Sequence, residues 1–316
     1  YTGGGCPHIL AEPQRTNLLT YSSDFSQSYW TKQSGVTATY NTTETLSPDG
    51  TYNATKLVGN GTTGIFKTSI SVSGVVSRSF YLKSVTGTTT AVFKEPNTNV
   101  PAPISLTITN EWQRFEMIGD NGSAFQGLQI DDITSDGLYI WGAQLELGSY
   151  ATSYIPTSGS TVTRNQDIFT RDGIGSLINS TEGVLFAEIS ALADDSTNRS
   201  IALSDGSSSN IILFRYEGSN TIRGFVINGG VIQANFTFTH NNINNLKFAV
   251  KWKLNDFAYW VNGTEVLTDT SGSVPTGLNR LALDNGSGNE DFYGKVKQLQ
   301  VYQTALSDTQ LAALTS

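Results

Sequence analysis

The sequence predicts an all-β chain of two tandem β-sandwich domains, and three observations carry that expectation. Most of the chain runs in short segments where apolar and polar residues alternate, the period of a strand with one buried face. These segments are broken by Gly, Asn, Asp and Ser, with 31 glycines supplying turn positions. Thr, Val and Ile recur throughout, and few windows carry a helical period.

Taken in order, Ser79-Phe80-Tyr81-Leu82, Ile104-Ser105-Leu106-Thr107-Ile108 and Leu138-Tyr139-Ile140-Trp141 read as strands of the first half. In the second half Phe248, Val250 and Trp252 alternate with Ala249, Lys251 and Lys253. Phe257, Tyr259 and Val261 then alternate with Ala258 and Trp260, and Asn262-Gly263 is a two-residue hairpin turn signal. Near the end Ser307 is placed to cap a short helix over Asp308-Thr309-Gln310-Leu311-Ala312-Ala313-Leu314. At 316 residues the chain is long enough for two domains. The turn-rich run Pro156-Thr157-Ser158-Gly159-Ser160-Thr161 marks their junction, giving residues 1–165 and 166–316.

Composition excludes several classes of function. One Cys leaves no disulfide framework and no cysteine-based zinc site, and two His leave little material for a His-rich metal centre or a triad. The net charge of −8 argues against nucleic-acid backbones and anionic membranes as partners. No apolar run of about 18 residues is present, so no membrane insertion is expected. No signal peptide is visible, and Tyr1 is not a native start, which leaves room for a leader already removed.

The first half resembles a module common in bacteriophage tail-fibre and other virion-associated proteins. The residues that carry this are Gly4-Gly5-Cys6-Pro7, Glu12-Pro13-Gln14-Arg15-Thr16-Asn17-Leu18-Leu19, Tyr21-Ser22-Ser23-Asp24-Phe25 and Tyr29-Trp30. Ser47-Pro48-Asp49-Gly50, Trp141-Gly142-Ala143-Gln144-Leu145-Glu146 and Ser153-Tyr154-Ile155-Pro156-Thr157 continue it. The resemblance implies a carbohydrate-binding jelly roll. Such modules often hold a structural calcium through an acid on the last strand, and Tyr139-Ile140-Trp141-Gly142-Ala143 has none. The second half resembles laminin-G-like, concanavalin A-like sandwiches in Phe248-Ala249-Val250-Lys251-Trp252, Tyr259-Trp260-Val261-Asn262-Gly263, Phe292-Tyr293-Gly294-Lys295-Val296 and Val301-Tyr302-Gln303-Thr304-Ala305-Leu306-Ser307-Asp308. That family includes lectins, adhesion modules and glycan-cleaving enzymes, so the fold alone does not settle function.

Candidate chemistry is sparse. Glycoside hydrolysis needs two facing carboxylates. Glu188 has no second acid two residues on, and Glu290-Asp291 are adjacent, so on a strand they would face opposite ways. Cys6 and His8 flank Pro7, a packing or linker position rather than a nucleophile and base. Asp284, Glu290 and Asp291 lie in an acid- and glycine-rich loop of the kind calcium loops use, against the reading of a hairpin loop with solvated acids. Sugars stack on aromatic rings and hydrogen-bond to Asn, Asp, Arg and Gln. On that basis Arg215, Tyr216, Arg223 and Trp260 are the expected ligand surface, with Tyr150 and Tyr154 as further candidates, while Trp30, Trp112, Trp141 and Trp252 read as core.

The expected function is non-catalytic recognition of a polysaccharide or glycan on a bacterial surface by a tail fibre or related receptor-binding protein. No cofactor is required, a structural Ca2+ stays open as an option, and a homo-oligomer such as a trimer suits a fibre. The location is then the virion or the extracellular space. The open alternatives are an accessory glycan-binding module of a secreted polysaccharide-degrading enzyme, a structural virion spacer, and a polysaccharide lyase or glycosidase.

Overall fold

A computed structural model describes residues 8–218, 220–240 and 244–316. Gly4, Gly5, Cys6 and Pro7 of the first motif, and Asn241 and Asn242 beside His240, lie outside the described residues. The described residues form strands almost throughout, and no helix among them is long and apolar enough to cross a membrane. The chain divides into two compact units, one over Gln14–Asn165 and one formed by the described residues from His8 to Pro13 together with Gln166–Ser316.

The unit over 14–165 is a sandwich of two antiparallel five-stranded sheets. One runs, in spatial order, through Gln113–Gly119, Val76–Ser84, Leu138–Leu147, Thr55–Val58 and Thr37–Thr39. The other runs through Thr31–Lys32, Ile65–Ser71, Phe125–Asp131, Thr89–Lys94 and Ile104–Ile108. Alternation puts Phe80, Leu82, Ile140 and Leu145 of the first sheet against Phe93, Leu106, Leu128 and Ile130 of the second, and Trp30 joins this core.

The motif residues of this unit are mainly hydrogen-bonding staples. Asn17 is fully buried. Its Nδ2 donates to the carbonyls of Ala143 (3.2 Å) and Ile155 (2.9 Å), and its Oδ1 accepts from Leu19 and Leu145. Glu146 accepts from the amide (2.6 Å) and hydroxyl (2.7 Å) of Thr152, and Gln144 accepts from the Ile155 amide at 2.7 Å. The acid on this strand is thus bound by main-chain and side-chain donors, as buried carboxylates must be.

Asp24 closes a turn on the same unit. The Ser26 hydroxyl, 2.5 Å away, holds its carboxyl below the usual value, outweighing the opposing effect of burial. A carboxyl depressed in the folded state adds stability above its unfolded pKa, and that stability is lost as pH falls through the folded value. Burial pulls the Asp49 carboxyl up, but hydrogen bonds from Thr51, Asn53 and Ser47 together hold it low, so it acts in the same direction. The melting temperature of the chain is therefore expected to be flat above about pH 5 and to fall below about pH 4. A thermal scan series from neutral to acid pH checks this, and an unchanged midpoint at low pH would contradict it.

The other unit pairs two antiparallel six-stranded sheets. One contains Ile9–Ala11, Gly294–Tyr302, Glu182–Ala191, Leu246–Lys253, Phe257–Val261 and Thr264–Asp269 in spatial order. The second contains Thr170–Arg171, Arg280–Ala282, Arg199–Ser204, Ile211–Tyr216, Thr221–Asn228 and Val231–Thr239. Residues 9–11, which the boundary at 165 assigns to the first domain, instead belong to this unit. They form an edge strand of this unit, with Ile9 opposite Val296 and Ala11 opposite Gly294. The physical reason is hydrogen bonding: the strand pairs the otherwise open edge of Gly294–Tyr302.

The core holds Phe214, Phe236, Phe248, Trp252, Tyr259 and Phe292. Asn262 and Gly263 both have positive φ, 47° and 79°, and close the hairpin between Phe257–Val261 and Thr264–Asp269. The helix forms at Asp308–Thr315 with Ser307 as cap, and a capping box is completed by Gln310. Its Leu311 packs with Trp260, Phe186 and Val184 on the outer side of the first sheet of this unit.

Candidate functional site

The residues expected to form a ligand surface do not converge. Arg215 and Arg223 do sit directly opposite each other on neighbouring strands. Both guanidinium groups pair with Glu217, Arg223 at 2.9 Å, and Arg215 also reaches Glu290 at 3.3 Å. Arg215 covers the Phe225 ring at 5.0 Å, above an outer-face apolar patch of Ala202, Ile211, Leu213 and Phe225. Their charges are matched by Glu217, just past the strand's end, and by Glu290 on a loop.

Tyr216 follows Arg215 on the strand and therefore points inward. It is 4% exposed, edge-on to His240 and near Phe292. Burial pushes its phenol far above the ordinary range. Trp260 faces away from the core, but on the other sheet, where the C-terminal helix covers it to 7% exposure. Strand period gives the outward face at Trp260, and the cover comes from a helix distant in sequence.

The calcium-loop residues are likewise engaged. Asp284 accepts from the Gly286 amide (2.5 Å) and pairs with Arg280 (3.0 Å). Glu290 accepts from Asn198 and Ser200, each at 3.1 Å, besides Arg215. Asp291 accepts from Gln166 (3.0 Å) and Tyr293 (3.2 Å), and burial raises its carboxyl, helped by the charge of Asp284. Ca2+ takes about six to eight oxygen ligands. Two of these three carboxylates already face arginines, and no group of three or more His, Cys, Asp or Glu among the described residues could hold a metal. The residues do not fit the ion.

Tyr150 is buried beneath the Arg15 guanidinium, 5.0 Å from the ring centroid. Tyr154 shares a 2.6 Å hydrogen bond with Ser22 and packs at 4.4 Å on Trp141, with Tyr81 edge-on to both. Trp141 is thus buried on the outer face of its sheet rather than in the inter-sheet core. Gly142, at φ 62°, permits this closure, because a Cβ there would come within 3.0 Å of the Tyr81 ring. Trp112 is half-buried and donates to the Leu46 carbonyl at 2.7 Å.

A site that the sequence reading did not assemble lies on the outer face of the 9–11/294–302/182–191/246–253 sheet. Register builds it. Leu10 is opposite Lys295, and Lys295 is opposite Ser190. One row across the sheet thus carries an apolar group, a cation and a hydroxyl. Asn245 extends the row, its amide donating to Ser190 Oγ at 2.9 Å. The next row centres on Glu188. A register shift between Glu188 and Ile189 leaves Lys297 as the extra residue, and its Nζ reaches Glu188 Oε1 at 2.5 Å. Lys247 stands opposite Glu188 on the other side, with its Nζ hydrogen-bonded to the Ser316 carbonyl oxygen.

Leu10, Glu188, Ser190, Asn245, Lys295 and Lys297, with His8, Leu192, Asn244 and the backbone of Ile189 and Ala191, line a cavity of about 660 Å³. That is within the range of small-ligand sites, about 300–1,000 Å³. Glu188, with a side chain only 5% exposed, is the sole acid among the described lining residues. The lining therefore offers ammonium and amide donors, carbonyl and hydroxyl acceptors and two aliphatic groups, Leu10 and Leu192, but one carboxylate where two-carboxylate hydrolysis uses two.

No protein-family model matches the sequence, and no curated protein matches it. Among solved structures, the CBM40 module of the Ruminococcus gnavus IT-sialidase, determined with bound α2,3-sialyllactose, is 15% identical with a TM-score of 0.39. The match covers 47% of this chain and 98% of that one. The tandem CBM22 domains of Paenibacillus barcinonensis Xyn10C are 12% identical over 95% of this chain and 100% of that one, with a TM-score of 0.31. Domains LG4-5 of the mouse laminin α1 chain are 10% identical over 98% and 96%, with a TM-score of 0.33. Likeness at this level assigns no ligand to this chain.

Proposed function

We propose that this chain is a non-catalytic glycan-binding protein and that the cavity beside Glu188 and Lys297 is a sugar site. The observation that carries this is the cavity's mixed lining. A pyranose has an apolar face and a rim of hydroxyls, and here Leu10 and Leu192 stand beside Lys295, Lys297, Ser190 and Asn245. The Glu188–Lys297 pair offers both an acceptor and a donor fixed in place before binding. A single shallow site of this kind binds weakly, and repetition of the chain in an assembly would raise the avidity. The ordered run of motifs from Glu12 to Thr157 supports placing that assembly in a bacteriophage tail fibre or related receptor-binding protein, acting outside the host cell on its surface polysaccharide.

The test is binding of the whole chain to a panel of bacterial and algal polysaccharides, with reducing-end and unsaturated-product assays on the same samples. Binding without products is expected. Leu10→Trp, which fills the cavity from its exposed edge strand, should weaken binding about tenfold or more. Product formation would replace the non-catalytic reading with a polysaccharide lyase or glycosidase. Absence of binding across the panel would leave a structural spacer.

A further inference from the structure

We infer that the cavity selects a carboxylate-bearing sugar, such as a uronic acid, over its neutral counterpart; this rests on the glycan reading above. The inference comes from the charges around the cavity. Glu188 is almost fully buried and ion-paired to Lys297, so those two charges cancel. Lys247, across the strand from Glu188, is directed to the Ser316 carbonyl oxygen. Lys295 remains. It is exposed, lies in the same row as Leu10 and Ser190, lines the cavity, and makes no ion pair among the described residues.

The site therefore carries one uncompensated positive charge on a chain whose net charge is −8. A wholly neutral ligand would leave that ammonium unmatched at the mouth of a cleft. A ligand with one carboxylate would pair with it, while its hydroxyls face Ser190 and Asn245 and its ring lies along Leu10. Compactness matters as well: an ammonium is a point charge with three donors, suited to a carboxylate approaching from any side.

The experiment is isothermal titration of the whole chain with trigalacturonate and with galactotriose, its neutral counterpart, at matched ionic strength. The carboxylated trimer should bind about tenfold more tightly, the worth of one charge-assisted contact near a surface. Raising NaCl from about 0.05 M to about 0.5 M should erode that advantage. Lys295→Ala should abolish the difference, Lys295→Arg should retain most of it, and Lys32→Ala on the other unit should leave it intact. Equal affinity for both trimers, insensitive to Lys295→Ala, would overturn the carboxylate inference and leave the glycan reading standing. Inorganic sulfate binding as tightly as the trimer would overturn it too, by showing a site for any anion. Failure of both trimers, together with failure of every polysaccharide on the wider panel, would overturn the glycan reading itself.

Discussion

Arg78→Ala is expected to cost the 14–165 unit about 3–5 kcal/mol, the range for removing one partner of a buried, fully bonded charge. Arg78 is wholly buried between the two sheets. Its Nε donates to the Gly127 carbonyl at 2.6 Å, Nη1 to the Gly119 carbonyl at 3.2 Å and Nη2 to Gln126 Oε1 at 2.5 Å. The first and third of these acceptors, Gly127 and Gln126, sit at the register shift between Gln126 and Leu128 on the Phe125–Asp131 strand. Burial draws the guanidinium pKa down, opposed by the charges of Glu95 and Asp120, which favour the cation. Alanine would leave two carbonyls and an amide oxygen without partners in a dry interior. A lysine ammonium would restore the charge but not the fork that serves three acceptors, so Arg78→Lys should recover only part of the loss. Urea unfolding of both variants measures this. A loss under about 1 kcal/mol for Arg78→Ala would show that the guanidinium is not a structural element.

Trp252→Ala should cost the other unit a similar amount, about 3–5 kcal/mol. Trp252 is fully buried and its indole N–H donates to the Asn179 carbonyl at 3.1 Å. It lies on the same face as Leu246, Phe248 and Val250, the inward face of its strand. The indole closes over Gly183 on the neighbouring strand, where an added Cβ would come within 2.4 Å of both the ring and the Tyr302 carbonyl oxygen. Backbone on that side cannot move in to fill the space, so truncation leaves a cavity as well as an orphaned carbonyl. Trp252→Phe keeps part of the ring volume and should lose less. Denaturant unfolding of the two variants separates the packing loss from the lost hydrogen bond, and equal, small effects would contradict the assignment of Trp252 as the centre of this core.

The difference between what could and could not be read in the sequence is clearest at two positions. At Trp252 the period of two, running through Phe248 and Val250, is enough to place the ring inward, because successive strand residues alternate faces regardless of what lies beyond. At Trp260 the same rule gives the outward face, yet exposure depends on whether another element lands there, and Leu311 does. Arg215 and Tyr216 show the limit in another form. Their adjacency suggests one surface, but the pleat separates them, one toward Glu217 and Glu290 and the other into the core. The arginines find acids beyond the strand's end and on a loop, pairings that depend on register.

The cavity is illegible in the sequence for the same reason. Its groups come from around residues 8–10, 188–192, 244–245 and 295–297, four segments joined only by strand pairing. One local signal is present: Lys295 and Lys297 lie two apart, the spacing of one strand face, in a stretch that matches a sandwich strand. What that signal lacks is the partner, since Glu188 looks like a lone acid until the bulge brings Lys297 to it.

The all-β class, the hairpin at Asn262-Gly263 and the capped helix at Ser307 are written locally, because alternation, turn chemistry and capping act over a few neighbouring residues. Which charges are matched, which aromatic rings are covered and where a cavity opens are settled by long-range packing instead. Those outcomes depend on register between strands more than a hundred residues apart, and a shift of one residue would turn every side chain on a strand to the other face.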